Sequence, residues 1–180
     1  MTFSRFLGTL AFATILRAQA EPGSIRKSAP SFENFHASSA RDSKLVAPRF
    51  KEGLWPYDDP KFREAVIAEA ASGPNFAGKL SIVKVGCGTG CMYIAVLDQE
   101  TGAISVDMPF YSLLVGPFSS NNNGNKTFSG LSYRIDSRLM VAEGCFDSTD
   151  GRKKGRCSTD YFVWSGKRFI LLKRIPIDTR

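Results

Sequence analysis

The chain has 180 residues, a formal net charge of +7 and one histidine. That length suits one domain with a real core. The single histidine, His36, excludes ordinary Ser-His-Asp and Cys-His arrangements and His-based zinc sites. The mild positive charge acts on solubility and on encounter with acidic partners, and does not point to nucleic acid.

Residues 1–20 carry the three parts of a secretory signal in order. Arg5 is the positive n-region, 6–16 (FLGTLAFATIL) is the apolar run, and Ala18-Gln19-Ala20 is the cleavage signature. Cleavage is expected after Ala20, which removes Arg5 and Arg17 and takes the formal charge from +7 to +5. The apolar run is too short for a membrane anchor, which needs about 20 residues. No later segment is long and apolar enough to span. Residues 21–54 are rich in Ser, Ala, Pro and charge, with Phe32, Phe35 and Phe50 scattered and no period. They predict an irregular arm whose aromatics dock on the body. His36 lies in this arm and reads as a plain surface residue.

Residues 55–180 then form a single β-rich domain. It opens with a helix: Asp59 is a good N-cap, Pro60 suits the first helical position, and Gly73-Pro74 stops it. Phe62, Ala65, Val66 and Ala70 share one face, so the helix must lie on something apolar. After Pro74 the pattern changes to strands at 80–85, 92–97, 103–106, 131–135, 138–142, 161–164 and 168–173. MYIAVL at 92–97 has no polar position and predicts a central strand covered on both faces. The segment 98–102 (DQETG) and Ser165-Gly166 read as hairpin turns. Residues 107–130 read as a long loop. About seven strands with mostly tight turns predict an antiparallel meander, curved or partly closed as a barrel, with the helix on one face. The strand region is too short for a β-propeller.

Four cysteines in an exported chain predict two disulfides, with three possible connectivities. Cys87 and Cys91 sit four apart in GCGTGC. In a continuous strand they would be about 13 Å apart, too far for a bond. Gly88-Thr89-Gly90 lets the chain reverse so that they meet across a hairpin neck. The other pair is then Cys145–Cys157, at the base of a polar loop. A structural staple is preferred at Cys87–Cys91 over three alternatives. A Cu(I) site lacks an adjacent histidine and a methionine cluster. A redox site lacks the usual Cys-x-x-Cys spacing. An anion-binding loop lacks the lysine and following helix of a phosphate loop.

The best basic patch is Arg152, Lys153, Lys154 and Arg156, which suits an anionic partner or else a solvated loop. Asp98, Glu100, Asp136 and Glu143 are the acids from which a carboxylate pair would have to come. Three of them sit at turns, where acids are common for local reasons. Asn125-Lys126-Thr127 fits a glycosylation sequon that matters only in a eukaryotic secretory route.

The segments 73–78 (GPNFAG), 86–91 (GCGTGC), 98–102 (DQETG), 133–139 (YRIDSRL) and 161–164 (YFVW) together resemble a family of small exported bacterial proteins. The resemblance spans roughly 55–172. It implies bacterial export and a shared β domain, and brings no activity and no catalytic residue. Similar sequences often carry histidine where Lys79 stands here, which further weakens a metal reading around the cysteines. The expected function is an exported, non-enzymatic binding protein of inhibitor or immunity type, contacting a protein or an anionic surface, with no cofactor and no metal. The alternative is a periplasmic copper-binding or thiol-redox protein using Cys87 and Cys91.

Overall fold

A computed structural model describes residues 28–38, 45–110, 112–120, 124–147 and 156–177. Residues 1–20, read from the sequence as a signal segment, and the basic residues Arg152, Lys153 and Lys154 lie outside them. The helix forms where expected, as α1 (Pro60–Ser72). The Asp59 carboxylate accepts from the Lys61 backbone N–H at 2.9 Å, Pro60 leads the first turn, and Gly73 at φ 82° ends it. Phe62 and Val66 are fully buried, and Ala65 and Ala70 pack beside them.

Among the described residues ten strands follow: β1 (Leu80–Gly88), β2 (Cys91–Asp98), β3 (Ile104–Ser105), β4 (Leu113–Leu114), β5 (Gly116–Ser120), β6 (Gly124–Phe128), β7 (Gly130–Tyr133), β8 (Leu139–Phe146), β9 (Arg156–Trp164) and β10 (Phe169–Pro176). Eight form one antiparallel sheet in the order β1-β2-β4-β8-β9-β10, with β3 beside β2 and β7 beside β8. β5 and β6 form a separate two-stranded hairpin. The antiparallel sheet, the covering helix and both disulfides are as expected.

The segment 107–130 is not one loop. It holds β4, the β5–β6 hairpin and the first residue of β7. β4 is two residues long and is held entirely by partners distant in sequence, so it leaves no local period to read. β5 and β6 (GPFSS and GNKTF) show no apolar alternation. β9 begins at Arg156 rather than 161, because Ser158, Thr159 and Asp160 hide it as polar residues. Ile135 is exposed and lies beyond β7, in the turn before β8.

The sheet is best seen as two halves. One is β1–β2–β3; the other is β7–β8–β9–β10. Among the described residues the strand that joins them is β4, whose Leu113 and Leu114 pair with Met92 and Cys91 on one side and with Phe146 and Cys145 on the other. The first half is covered on both faces. Val83, Val85, Ala95 and Leu97 meet Phe62 and Val66 of α1 on its convex face. Ile82, Ile94 and Val96 join Phe162, Trp164 and Phe169 of the second half on its concave face. Phe76, beside the start of β1, lies 5.8 Å from the Phe169 ring at the start of β10. The two ends of the strand order therefore share one core, which requires the sheet to curl. MYIAVL sits in β2 between both cores, which explains its lack of polar positions.

The arm segments lean on the turns of this body. Ser137, 1% exposed, donates or shares its hydroxyl with the Phe32 and Phe35 carbonyls at 2.9 and 3.1 Å. The Arg134 guanidinium lies 4.6 Å from the Phe32 ring, and Arg63 lies 4.2 Å from Phe50. The Val46 and Arg49 N–H groups donate to the Gln99 and Gly102 carbonyls at 2.9 and 2.8 Å.

Candidate functional site

Both disulfides form as paired from the sequence. Cys87 and Cys91 close the β1–β2 turn with their Cα atoms 5.1 Å apart, and Cys145 and Cys157 are direct cross-strand partners in β8 and β9. What the spacing could not reveal is that they are aligned. Cys91 pairs with Leu114, Leu114 with Cys145, and Cys145 with Cys157. Cross-strand partners share a face of a sheet. The neighbouring row of Met92, Leu113 and Phe146 belongs to the concave core. The cysteines therefore form one transverse row on the convex face, at one end of the sheet.

Two glycines make this row possible. Gly90 has φ 68°, and a Cβ there would meet the Val115 carbonyl oxygen at 2.6 Å. The Val115 N–H donates to the Gly90 carbonyl at 2.6 Å, so the cysteine turn is bonded to the chain leaving β4. At Gly144 a Cβ would lie 2.4 Å from the Leu114 carbonyl oxygen, so β4 can approach β8 only where a side chain is missing.

Three connections leave the sheet at this braced end: the β1–β2 turn, the β5–β6 hairpin and the 147–155 segment between β8 and β9. The predicted basic patch belongs to the last of these. Arg156 opens β9 opposite Phe146, while Arg152, Lys153 and Lys154 lie outside the described residues. The sequon Asn125-Lys126-Thr127 falls in β6 of the hairpin.

Of the acids read from the sequence, Asp98 and Glu100 meet at Lys79, while Glu143 lies apart from them. The Asp98 carboxylate accepts from the Glu100 and Thr101 N–H groups, both at 3.0 Å, and so shapes the β2–β3 turn. Lys79 lies 3.3 Å from Asp98 and 2.8 Å from Glu100. The hydrogen bond to Glu100, aided by Asp98, holds the Lys79 ammonium above its ordinary range against a smaller opposing effect of burial. Glu143 accepts from the Ser129 N–H at 3.3 Å at the far end of β8. Among the described residues no group of three or more His, Cys, Asp or Glu side chains is placed to hold a metal ion.

A second concave feature lies at the opposite end of the sheet. A cleft of about 460 Å³ opens between the halves, with Leu80, Val96 and Ile104 on one side and Arg138, Trp164 and Lys167 on the other. A smaller lobe of about 430 Å³ adjoins it and is reached by His36, Lys79, Glu100 and Arg138. His36 is exposed and bridges to Ser137. Sequence reasoning passes over this cleft, because its residues come from separate turns and share no motif.

The fold and the two disulfides define a disulfide-braced, mainly antiparallel β domain with one covering helix. No helix among the described residues is long and apolar enough to cross a membrane. No family model, curated protein or solved structure gives a match to this chain.

Proposed function

We propose that this chain is an exported, non-enzymatic binding protein that presents the loops of its disulfide-braced end to a macromolecular partner, in the manner of an inhibitor or immunity protein. The observation that carries this reading is the transverse row Cys91–Leu114–Cys145–Cys157, closed by Cys87. Covalent bonds and paired backbone hold the bases of three neighbouring connections in one frame. Loops held rigid before contact lose less conformational entropy on binding. The signal-like N-terminus, the even cysteine count and the family resemblance support export to an oxidising compartment. The basic residues Arg152, Lys153, Lys154 and Arg156 on one of these connections favour a partner with an acidic surface.

The test is capture from periplasmic and culture extracts with the oxidised protein, beside the variant Arg152→Glu, Lys153→Glu, Lys154→Glu. A protein recovered repeatedly by the parent and lost with the variant is the expected result. Equal recovery by both, or no recovery, overturns the reading. The copper or thiol-redox alternative would require the Cys87–Cys91 bond to open first, since all four cysteines are paired. No observation favours that step.

A further inference from the structure

We infer that the cleft between the two halves, at the end away from the disulfides, is a binding site for a small organic anion with an apolar body, a monocarboxylate being the simplest case. Its size of about 460 Å³ lies within the roughly 300–1,000 Å³ usual for small-molecule sites. Its floor is apolar and rigid: Leu80, Val96, Ile104 and Trp164 are each at most 8% exposed. The Trp164 ring is braced at 5.0 Å by Phe169, so the floor is held by the core itself.

The polar groups are arranged by wall. On the side of the second half stand Arg138, at the entry to β8, and Lys167, in the β9–β10 turn. Arg138 lines both the cleft and the adjoining lobe. One of its N–H groups donates to the Trp164 carbonyl at 3.3 Å. A guanidinium has five N–H donors in a planar fork, so this bond positions the group and leaves donors to engage a carboxylate. Lys167 is exposed and makes no ion pair with a described residue. On the facing wall Lys79 is matched against Asp98 and Glu100. A carboxylate can reach Arg138 and Lys167 while its apolar body covers the floor.

The backbone gives an independent sign. Ala77, which lines both lobes, has φ 46°, a left-handed conformation uncommon for a residue with a side chain. It is held there by N–H bonds from Ala77 to the Arg134 carbonyl at 3.4 Å and from Gly78 to the Ile135 carbonyl at 2.6 Å. Such conformations cost about 1–3 kcal/mol and cluster at binding sites. Here the conformation belongs to the tight turn that returns Phe76 to Leu80, and it sets Ala77 against both lobes.

The experiment is a backbone amide NMR titration of the oxidised protein with phenylacetate and its neutral isostere phenylacetamide. Saturable shifts are expected at Ala77, Arg138, Lys167 and the Trp164 indole N–H. Phenylacetamide should bind at least about tenfold more weakly, since it loses a charge-assisted bond. Arg138→Met should weaken phenylacetate about tenfold or more. Lys167→Ala, on an exposed turn that leaves the fold intact, should weaken it severalfold even if the Arg138 variant unfolds. Shifts that do not saturate, shifts centred elsewhere, equal affinity for phenylacetamide, or unchanged affinity in Lys167→Ala would each overturn the assignment.

Discussion

The two ends of this sheet solve the same problem in different ways. At the disulfide end the halves are joined by backbone: β4 slots between β2 and β8, and sulfur bonds flank it. At the other end the halves carry their own short strands, β3 and β7, and no ladder joins these among the described residues. There the junction is made by rings and by the Ala77 and Gly78 N–H bonds to the Arg134 and Ile135 carbonyls. Phe76 reaches Tyr133 at 6.3 Å and Phe169 at 5.8 Å, and Phe169 continues to Phe162 and Trp164. Paired backbone holds strands about 4.8 Å apart and leaves no room between them. Side-chain packing sets the spacing by ring size, and where the rings stop it leaves a cleft. One end thus fixes the bases of its connections, and the other leaves an open cleft.

The largest expected effect comes from attacking the aromatic junction. Phe76→Ala removes a fully buried ring and should cost about 3–5 kcal/mol in urea unfolding. It should also widen the cleft and weaken phenylacetate. A loss below about 1 kcal/mol would mean that the rings do not join the halves there.

The disulfides come next. By chain entropy, replacing Cys145 and Cys157 together by Ala should cost about 3 kcal/mol, and replacing Cys87 and Cys91 together about 2 kcal/mol, because the second loop is shorter. Both variants should keep the phenylacetate affinity, since the cleft lies at the other end. If either cysteine variant weakens that ligand as much as Arg138→Met does, the two ends are not independent.

The smallest effect is electrostatic. Lys79 is raised above its ordinary value of 10.5 by its carboxylate partners, so its contribution to stability is complete below that pH. It is lost as pH rises through the higher folded value. With the side chain 41% exposed, the contribution should not exceed about 1 kcal/mol. The difference in Tm between the parent and Lys79→Met should therefore be small at pH 8 and shrink as the pH is raised through and beyond the ordinary lysine range. A difference that grows with pH would contradict the ion pairs at the cleft wall.

Much of the fold is readable along the chain, for local reasons. Asp59, Pro60 and Gly73 act on adjacent backbone, and the caps of α1 follow from them. The apolar run in β2 reports that both faces are covered. Cys87–Cys91 follows from chain geometry and the turn that Gly88 and Gly90 permit, without knowledge of any partner strand. The polar start of β9 was hidden because the partner of Asp160 is fourteen residues away: Arg174 donates to it at 2.8 and 3.0 Å, and Ser158 donates at 2.8 Å. A fully buried carboxylate reads as a loop residue until that partner is in place.

By itself, then, the sequence determined the helix, the antiparallel class, the central strand and the pairing of the cysteines. Each depends on conformational preferences and periods that act within a few residues. Only the tertiary structure decided that the two disulfides fall in one row, that two residues of β4 join the halves, and that Arg138, Trp164 and Lys167 face Lys79 across a cleft. Those arrangements depend on strand order, and strand order is set by the packing of Phe76, Phe162, Trp164 and Phe169 from distant parts of the chain into one core.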